Sequence, residues 1–243
     1  MDEKLKEQVA KLVGGLAHEI KTPLSTIGMN LQLITEDLEQ GGSAMTAREQ
    51  RLYRKVQLLQ KEVFRLERSL NGFIRFIGPR SMEKKPGSIN LLVEEILDFV
   101  QPEADAHSVA VRRRLDYRIP LFHFDFEPIR QAALNVIKNA LEEMRDGGEL
   151  FVETAQEHGS VTLSVTDTGR SISGEELDRI FVPYYSTKPE GTGLGLAVAK
   201  QAVEDHGGTI CYSDASPKGA CFTIRLPLGA VPPRKPSARQ PRS

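Results

Sequence analysis

His18 stands directly before an acid, Glu19, in the octet AHEIKTPL at 17–24, with Thr22 one helical turn on and Pro23 behind it. An imidazole that faces water has a pKa of about 6.5, so at neutral pH it is largely uncharged and can act as a nucleophile. Leu16 and Ile20 belong to an apolar stripe. His18 lies two residues from each, about 200° round a helix, which turns it outward. Thr22, four residues on, shares the face of His18. Pro23 cannot donate to the carbonyl of Glu19 and crowds it, which predicts a helix bent or loosened just below the histidine. Farther along, NVIKNALEEM at 135–144 sets Asn135, Asn139 and Glu142 at four- and three-residue spacing, on one helix face. Their amide and carboxylate oxygens are hard ligands of the kind Mg²⁺ takes. Asp167 ends the alternating run SVTLSVTD and begins DTGRSIS, where a strand-end carboxylate can accept from an exocyclic amine. Gly191, Gly193 and Gly195 of GTGLGL precede a helix pattern, whose first turn offers free amides and a positive dipole end to phosphates.

Two kinds of pattern must position these groups. Leu5, Val9, Leu12, Leu16, Ile20, Leu24, Ile27, Leu31, Ile34 and Leu38 form a heptad stripe with a local stutter. Leu52, Val56, Leu59, Val63, Leu66, Leu70, Phe73 and Ile77 form a cleaner one, and QGGSAMT between them reads as a loop with a Ser/Thr helix start. Residues 1–78 therefore read as an antiparallel helical hairpin. It is too thin to cover both stripes, so two copies should form a four-helix bundle.

After a linker at 79–88 the pattern becomes α/β over 89–228. INLLVEEILDFVQPEADA and PIRQAALNVIKNALEEM are helices, the second N-capped by Asp125 with Pro128 in its first turn. VAVRRRLD, LFHFD, ELFVETAQ, SVTLSVTD, TICYS and CFTIRLP are strands, the last two a closing hairpin. Helices over an antiparallel-leaning sheet give a two-layer α/β sandwich. Residues 229–243 hold four prolines, four basic residues and no acid, a disordered tail.

With 40% hydrophobic and 27% charged residues the composition is that of a globular protein, and a net charge of −1 makes nucleic acid an unexpected partner. No apolar run approaches the ~18 residues of a membrane span, and the charged start has no signal-peptide core, so a cytoplasmic location is expected. Only Cys211 and Cys221 occur, which excludes a disulfide framework and suggests small buried residues. His107, His123, His158 and His206 read as structural.

In this order and spacing AHEIKTPL, NVIKNALEEM, DTGRSIS, FVPYYSTK at 181–188 and GTGLGL resemble the transmitter core of two-component sensor histidine kinases. The resemblance runs over roughly residues 5–228 and looks most like the nitrogen-regulation branch. It implies an ATP-binding domain of the histidine-kinase/gyrase type behind a dimeric phosphoacceptor bundle. It implies that Glu19 orients the His18 ring and takes the proton from its other nitrogen. Asn139 would be the main Mg²⁺ ligand, with Asn135 and Glu142 flanking. Asp167 would select adenine, and Gly169 would let the backbone approach the base. Phe181 and either Tyr184 or Tyr185 would pack a lid anchor, and Lys188 would reach a phosphate. Gly191, Thr192, Gly193, Leu194 and Gly195 would close over the phosphates of ATP.

The implied reaction is autophosphorylation of His18, then transfer to an aspartate of a response-regulator receiver domain. No receiver-like acidic cluster is present, so that acceptor is expected on another polypeptide. Thr22 would position the water that removes phosphate from the same partner. Input would come from a separate sensor partner or from a module of a longer protein. The alternatives are a gyrase-type ATPase, which lacks the HExxTP helix, and a phosphatase-dominant or non-catalytic dimeric scaffold. Ser171 supports the scaffold, because it stands where the family's DxGxG has its second glycine. If that backbone must be left-handed, serine costs about 1 kcal/mol and weakens nucleotide binding.

Overall fold

The computed structural model describes residues 3–39, 46–77, 82–188, 191–215 and 218–229, and within them the side chains of 20–39, 46–67, 70 and the described residues from 82 onward. Most of the QGGSAMT loop, the start of the linker and the tail beyond 229 lie outside the described residues. The chain divides into two compact units, residues 1–82 with 173–201, and residues 83–172 with 202–243.

The first unit is built on α1 (Glu3–Glu39) and α2 (Ala47–Ile77). Thr46 and Glu49 start α2 with a reciprocal cap: Glu49 N–H donates to Thr46 Oγ1 at 3.3 Å, and Thr46 N–H donates to Glu49 Oε2 at 2.7 Å. The two helices run antiparallel, because Ser25 Oγ donates to Glu67 Oε1 at 2.9 Å while Tyr53 OH donates to Glu39 Oε1 at 2.6 Å. Between them Gly28 faces Val63; a Cβ on the glycine would stand 3.5 Å from Val63 Cγ1.

The heptad stripes split into two sets. Leu31 and Val56 are buried, at 9% and 5% exposure. Leu24, Leu38, Val63 and Leu70 are half-buried at the same heptad register. Ile20, Ile27 and Ile34 on α1 and Leu52, Leu59 and Leu66 on α2 are 41–55% exposed. Each helix thus spends one apolar position per heptad on its neighbour and leaves the other open to water.

The second unit holds β1 (Lys85–Gly87), α3 (Ile89–Ala106), β2 (Val109–Arg114), β3 (Phe122–Phe124), α4 (Phe126–Glu142), β4 (Gly148–Glu157), β5 (Ser160–Asp167), β6 (Thr209–Asp214) and β7 (Ala220–Pro227). Five strands pair in the order β2-β4-β5-β7-β6, with β2 parallel to β4 and every other pair antiparallel. The buried faces of α3 and α4 (Leu92, Ile96, Val136, Ile137 and Leu141 among them) and the inner positions of the sheet (Leu150, Val152, Leu163, Phe222 and Ile224) make the core, all at 0–2% exposure. This is the expected two-layer sandwich. Between its halves in sequence come α5 (Gly174–Leu177) and α6 (Gly195–Asp205), α6 running through the division between units. Among the described residues, segment 173–201 gives no strand to the sheet.

Three expectations need correction. Residues 85–87, placed in the linker, form β1, which pairs antiparallel with β3 so that neither belongs to the main sheet. Asp125 has N-cap geometry before α4 but makes no side-chain cap; its Oδ2 accepts the N–H of Glu83 at 2.9 Å instead. His206 is structural, as expected: at 5% exposure, its Nε2 accepts the N–H of Asp125 at 2.9 Å and its Nδ1 bonds Ala202 O at 2.7 Å. That fixes the neutral tautomer with the proton on Nδ1. Cys211 is exposed and Cys221 half-buried, both unpaired, because Ala220, Phe222 and Ile224 take the inner face of β7 and Cys221 alternates outward. Among the described residues no helix is long and apolar enough to cross a membrane.

Candidate functional site

His18 and Glu19 lie in the middle of α1; their side chains fall outside the described ones. One turn later Thr22 is exposed, and its carbonyl accepts the hydroxyl of Thr26 at 3.0 Å. Helix α1 continues through Pro23 to Glu39. The missing N–H of Pro23 takes one hydrogen bond out of the helix at the Glu19 carbonyl.

On the second unit Asn135, Asn139 and Glu142 occupy the half-buried face of α4, opposite its buried Ala133, Val136, Ile137 and Ala140. Asn135 Oδ1 accepts the side-chain amide of Gln131 at 2.7 Å, which orients the asparagine oxygen along the helix. The set supplies two amides and one carboxylate. Among the described residues no group of three or more His, Cys, Asp or Glu stands together. A site here would therefore depend on amide oxygens and on the substrate's own phosphates, a donor set that fits Mg²⁺.

The end of α4 meets the loop that follows β5. A Cβ on Gly169 would lie 2.9 Å from both Cβ and O of Glu143 and 3.0 Å from Asp167 Oδ1, so only glycine fits there. Arg170 Nε reaches Glu143 Oε2 at 3.8 Å. Asp167 is 1% exposed. Its Oδ1 accepts the N–H of Gly169 at 2.8 Å and of Ala220 at 3.3 Å. Burying a carboxylate is costly unless it is hydrogen-bonded, and these two donors hold it in one orientation. Ser171 is not among the described residues with left-handed backbone, which are Ser108, His158 and Tyr184 apart from glycines. The anticipated strain at that position is therefore absent. Sequence reading missed Gly219, although a glycine before a closing strand was a visible cue. At φ +121° it passes so close to Asp167 that a Cβ would stand 1.8 Å from the Asp167 carbonyl oxygen.

The residues expected to form a lid belong to the first unit. Ser173 and Glu176 form a capping box at α5. Arg179 lies over the Tyr185 ring at 4.2 Å and Lys200 over Phe181 at 5.5 Å. Tyr184, by contrast, is 61% exposed with φ +65°, so the packing aromatics are Phe181 and Tyr185. Gly193, also at φ +65°, accepts the N–H of Tyr184 on its carbonyl at 2.9 Å. A Cβ there would come within 2.5 Å of Tyr184 backbone. Lys188 N–H donates to Ser186 Oγ at 3.1 Å, and Gly191 N–H to Lys188 O at 3.1 Å. Thr192 Oγ1 accepts from Leu194 N–H at 3.4 Å, Leu194 is buried, and Gly195 opens α6. The glycines are thus spent on tight turns leading to a helix N-terminus, as phosphate-facing loops require.

Residues 8–76 match the family described as His Kinase A (phospho-acceptor) domain. Residues 124–230 match the histidine kinase-, DNA gyrase B-, and HSP90-like ATPases. The sensor histidine kinase ZraS of Escherichia coli (strain K12) is 33% identical over 228 residues, covering 93% of this chain and 47% of that protein. The chain thus spans about half the length of this curated relative. Full-length ShkA in complex with AMPPNP superposes with a TM-score of 0.73 at 24% identity, over 90% of this chain and 46% of that one. Histidine kinase ThkA in complex with response regulator protein TrrA gives 0.67 at 19% identity, over 93% and 65%. Both structural likenesses concern the fold alone. With the phosphoacceptor and ATPase modules present in this order, the chain carries the transmitter core of a sensor histidine kinase.

Proposed function

We propose that this chain is an ATP-dependent protein histidine kinase that phosphorylates itself on His18 and passes the phosphoryl group to an aspartate of a response regulator. The observation that carries the reading is the Asp167–Gly169 corner. A buried, doubly hydrogen-bonded carboxylate stands beside a glycine with no room for a side chain, at the end of the helix that carries Asn139. Such a corner suits a planar base bearing an amine. ATP is the substrate. Asn139, with Asn135 and Glu142 beside it, would hold Mg²⁺, whose charge offsets that of the phosphates. The glycines Gly191, Gly193 and Gly195 with Thr192 and Leu194 would line the phosphate side, and Lys188 would reach one of them.

Phosphoryl transfer needs alignment and charge neutralisation more than covalent help. His18 Nε2 attacks the γ-phosphorus, the bond to the β,γ-bridging oxygen breaks, and ADP leaves. Glu19 takes the proton from Nδ1 and keeps the ring oriented. Thr22 serves the reverse traffic, positioning water against the regulator's phosphoaspartate.

The working unit is a homodimer. The exposed residues Ile20, Ile27, Ile34, Leu52, Leu59 and Leu66 supply the seven-residue repeat that a second hairpin would cover. The protein acts in the cytoplasm, with input from a sensor module on a partner or a longer chain. The shortness of the sequence from Lys188 to Gly191 and the wording of the boxes support the nitrogen-regulation-like branch. The phosphatase-dominant or non-catalytic reading rested on Ser171, and the unstrained backbone there removes that support.

The deciding experiment incubates the chain with γ-labelled ATP and Mg²⁺. The expected product is a protein label stable to alkali and labile to acid. His18→Gln should abolish it while ATP binding persists, and Asn139→Ala should abolish both. A label that survives in His18→Gln would end the proposal.

A further inference from the structure

Ser171 departs from the family pattern, and its hydroxyl is committed in two directions. Ser171 Oγ accepts the N–H of Gly219 at 3.2 Å and donates to the carbonyl of Gly219 at 3.1 Å. One residue on, Ile172 N–H donates to the phenol oxygen of Tyr212 at 3.0 Å, and that phenol donates to Asp214 Oδ1 at 2.5 Å. Burial first, and then the bond to Asp214, push the Tyr212 phenol above its ordinary pKa, so it keeps the proton it donates. Its ring also stands edge-on to Phe222 at 5.5 Å. Gly219 and Ala220 are the residues that press on Asp167 from the other side. Gly219 backs the Asp167 carbonyl, and Ala220 N–H holds the Asp167 carboxylate. The loop 168–172 is therefore fastened to the β6–β7 hairpin at both ends: at its start through Asp167, at its finish through Ser171 and Tyr212.

We propose that Ser171 and Tyr212 are positioning residues for recognition of the nucleotide base: they latch the loop after β5 to the β6–β7 hairpin and so fix the direction of the Asp167 carboxylate. The idea rests on the reading of Asp167 as the group that accepts the exocyclic amine of adenine. A glycine at 171 would leave the Gly219 N–H without this acceptor and free the loop's far end. Ala220 could then shift relative to Asp167, and the carboxylate would lose the fixed Ala220 donor. The consequence is selective. Contacts to ribose and phosphates do not depend on the carboxylate's direction, whereas discrimination for a 6-amino over a 6-oxo purine does, because a carboxylate facing an oxo group gains no hydrogen bond.

The test measures equilibrium binding of Mg·ATP and Mg·ITP to the full chain and to Ser171→Ala, Ser171→Gly, Ser171→Thr and Tyr212→Phe, with a thermal melt of each. ATP affinity should fall about three- to tenfold in Ser171→Ala and Ser171→Gly, the size of one net hydrogen bond. ITP affinity should stay near its original value, so the ATP:ITP ratio collapses. Ser171→Thr keeps a hydroxyl and should recover the ratio. Tyr212→Phe removes a single oxygen and should lower the ratio in the same direction; it carries the test if Ser171→Gly folds poorly. An unchanged ratio in Ser171→Ala and Tyr212→Phe overturns the latch, and so does an equal loss for ATP and ITP, which marks general loosening. An original chain that binds ATP no better than ITP overturns the reading of Asp167 and the latch with it.

Discussion

The hairpin and the α/β unit solve the problem of burial in opposite ways. In the α/β unit one copy of the chain suffices: Ile96, Ile137, Leu150 and Val152 are all at 0% exposure. A sheet covered by two helices presents a broad face that closes on itself. Two helices touch along a line. Of the two apolar positions that each heptad provides, the neighbour buries one, as at Leu31 and Val56, and the other stays 41–55% exposed at Ile20, Ile27, Ile34, Leu52, Leu59 and Leu66. The α/β unit is thus complete as it stands, whereas the hairpin is half of an object. A second hairpin would cover the open positions, and a bundle completed in that way could repack while the α/β unit keeps its shape.

The largest effect should come from charging the open stripe. The triple change Ile20→Glu, Ile27→Glu, Ile34→Glu should turn a dimer into a monomer in sedimentation equilibrium, with the α/β unit's thermal transition unmoved. Persistence of the dimer would mean that the open heptad positions do not face a second copy. Conversely, fragment 83–229 should be monomeric.

A matched truncation sharpens the contrast. Ile96→Ala should lower stability by about 2–5 kcal/mol, because a fully buried side chain leaves a cavity. In a background monomerised instead by Leu52→Glu, Leu59→Glu and Leu66→Glu, Ile27→Ala should cost under about 1 kcal/mol, since the residue is already half in water. Urea titration of both variants reads the difference. Similar costs would mean that the hairpin is complete without a partner.

The same contrast explains what could be read from the sequence. Helix and strand periods located α3, α4 and β4–β7 closely, since burial of one face writes a period of 3.6 or 2 into the chain. The strand-end Asp167 and the same-face set Asn135, Asn139 and Glu142 followed from spacing alone. Strand β1 did not: three residues, KPG, in a charged Pro/Gly context carry no alternation, and only pairing with β3 makes them a strand. Asp125 looked like a helix cap, yet its carboxylate went to Glu83 and its N–H to His206, partners 42 and 81 residues away. The cost at Ser171, conditional on a left-handed backbone, does not arise because position 171 is not left-handed, and the residue that does pass close to Asp167, Gly219, lies 52 residues beyond it in sequence. Contacts across such distances leave no local pattern.

A smaller effect tests how the α/β unit ties α6 to α4. His206→Phe keeps the volume of a flat ring but removes an acceptor from the N–H of Asp125 and a donor from Ala202 O. The expected loss is about 1–3 kcal/mol, the cost of leaving buried backbone groups unmet. Denaturant melts should show it, and no change in subunit mass should accompany it. His206→Phe as stable as the original would mean that water replaces the ring in both bonds.

The smallest structural effect belongs to Thr22→Ala, and its value lies in that smallness. Thr22 is exposed on α1, four residues after His18 and on the same face. Alanine is the better helix former by a few tenths of a kcal/mol, so the change should not loosen α1. In the proposed reaction the side chain would not touch the γ-phosphate when His18 attacks it. Autophosphorylation should therefore stay near its original rate. Dephosphorylation of the phosphorylated regulator should slow, because the hydroxyl no longer orders the attacking water. Both rates are measured side by side, in the labelling assay and in decay of the regulator's acyl phosphate. Equal losses would mean that the substitution disturbs the helix in spite of its propensity. An unchanged decay rate would show that water is positioned by another group, and that the hairpin's outward face serves the kinase direction alone.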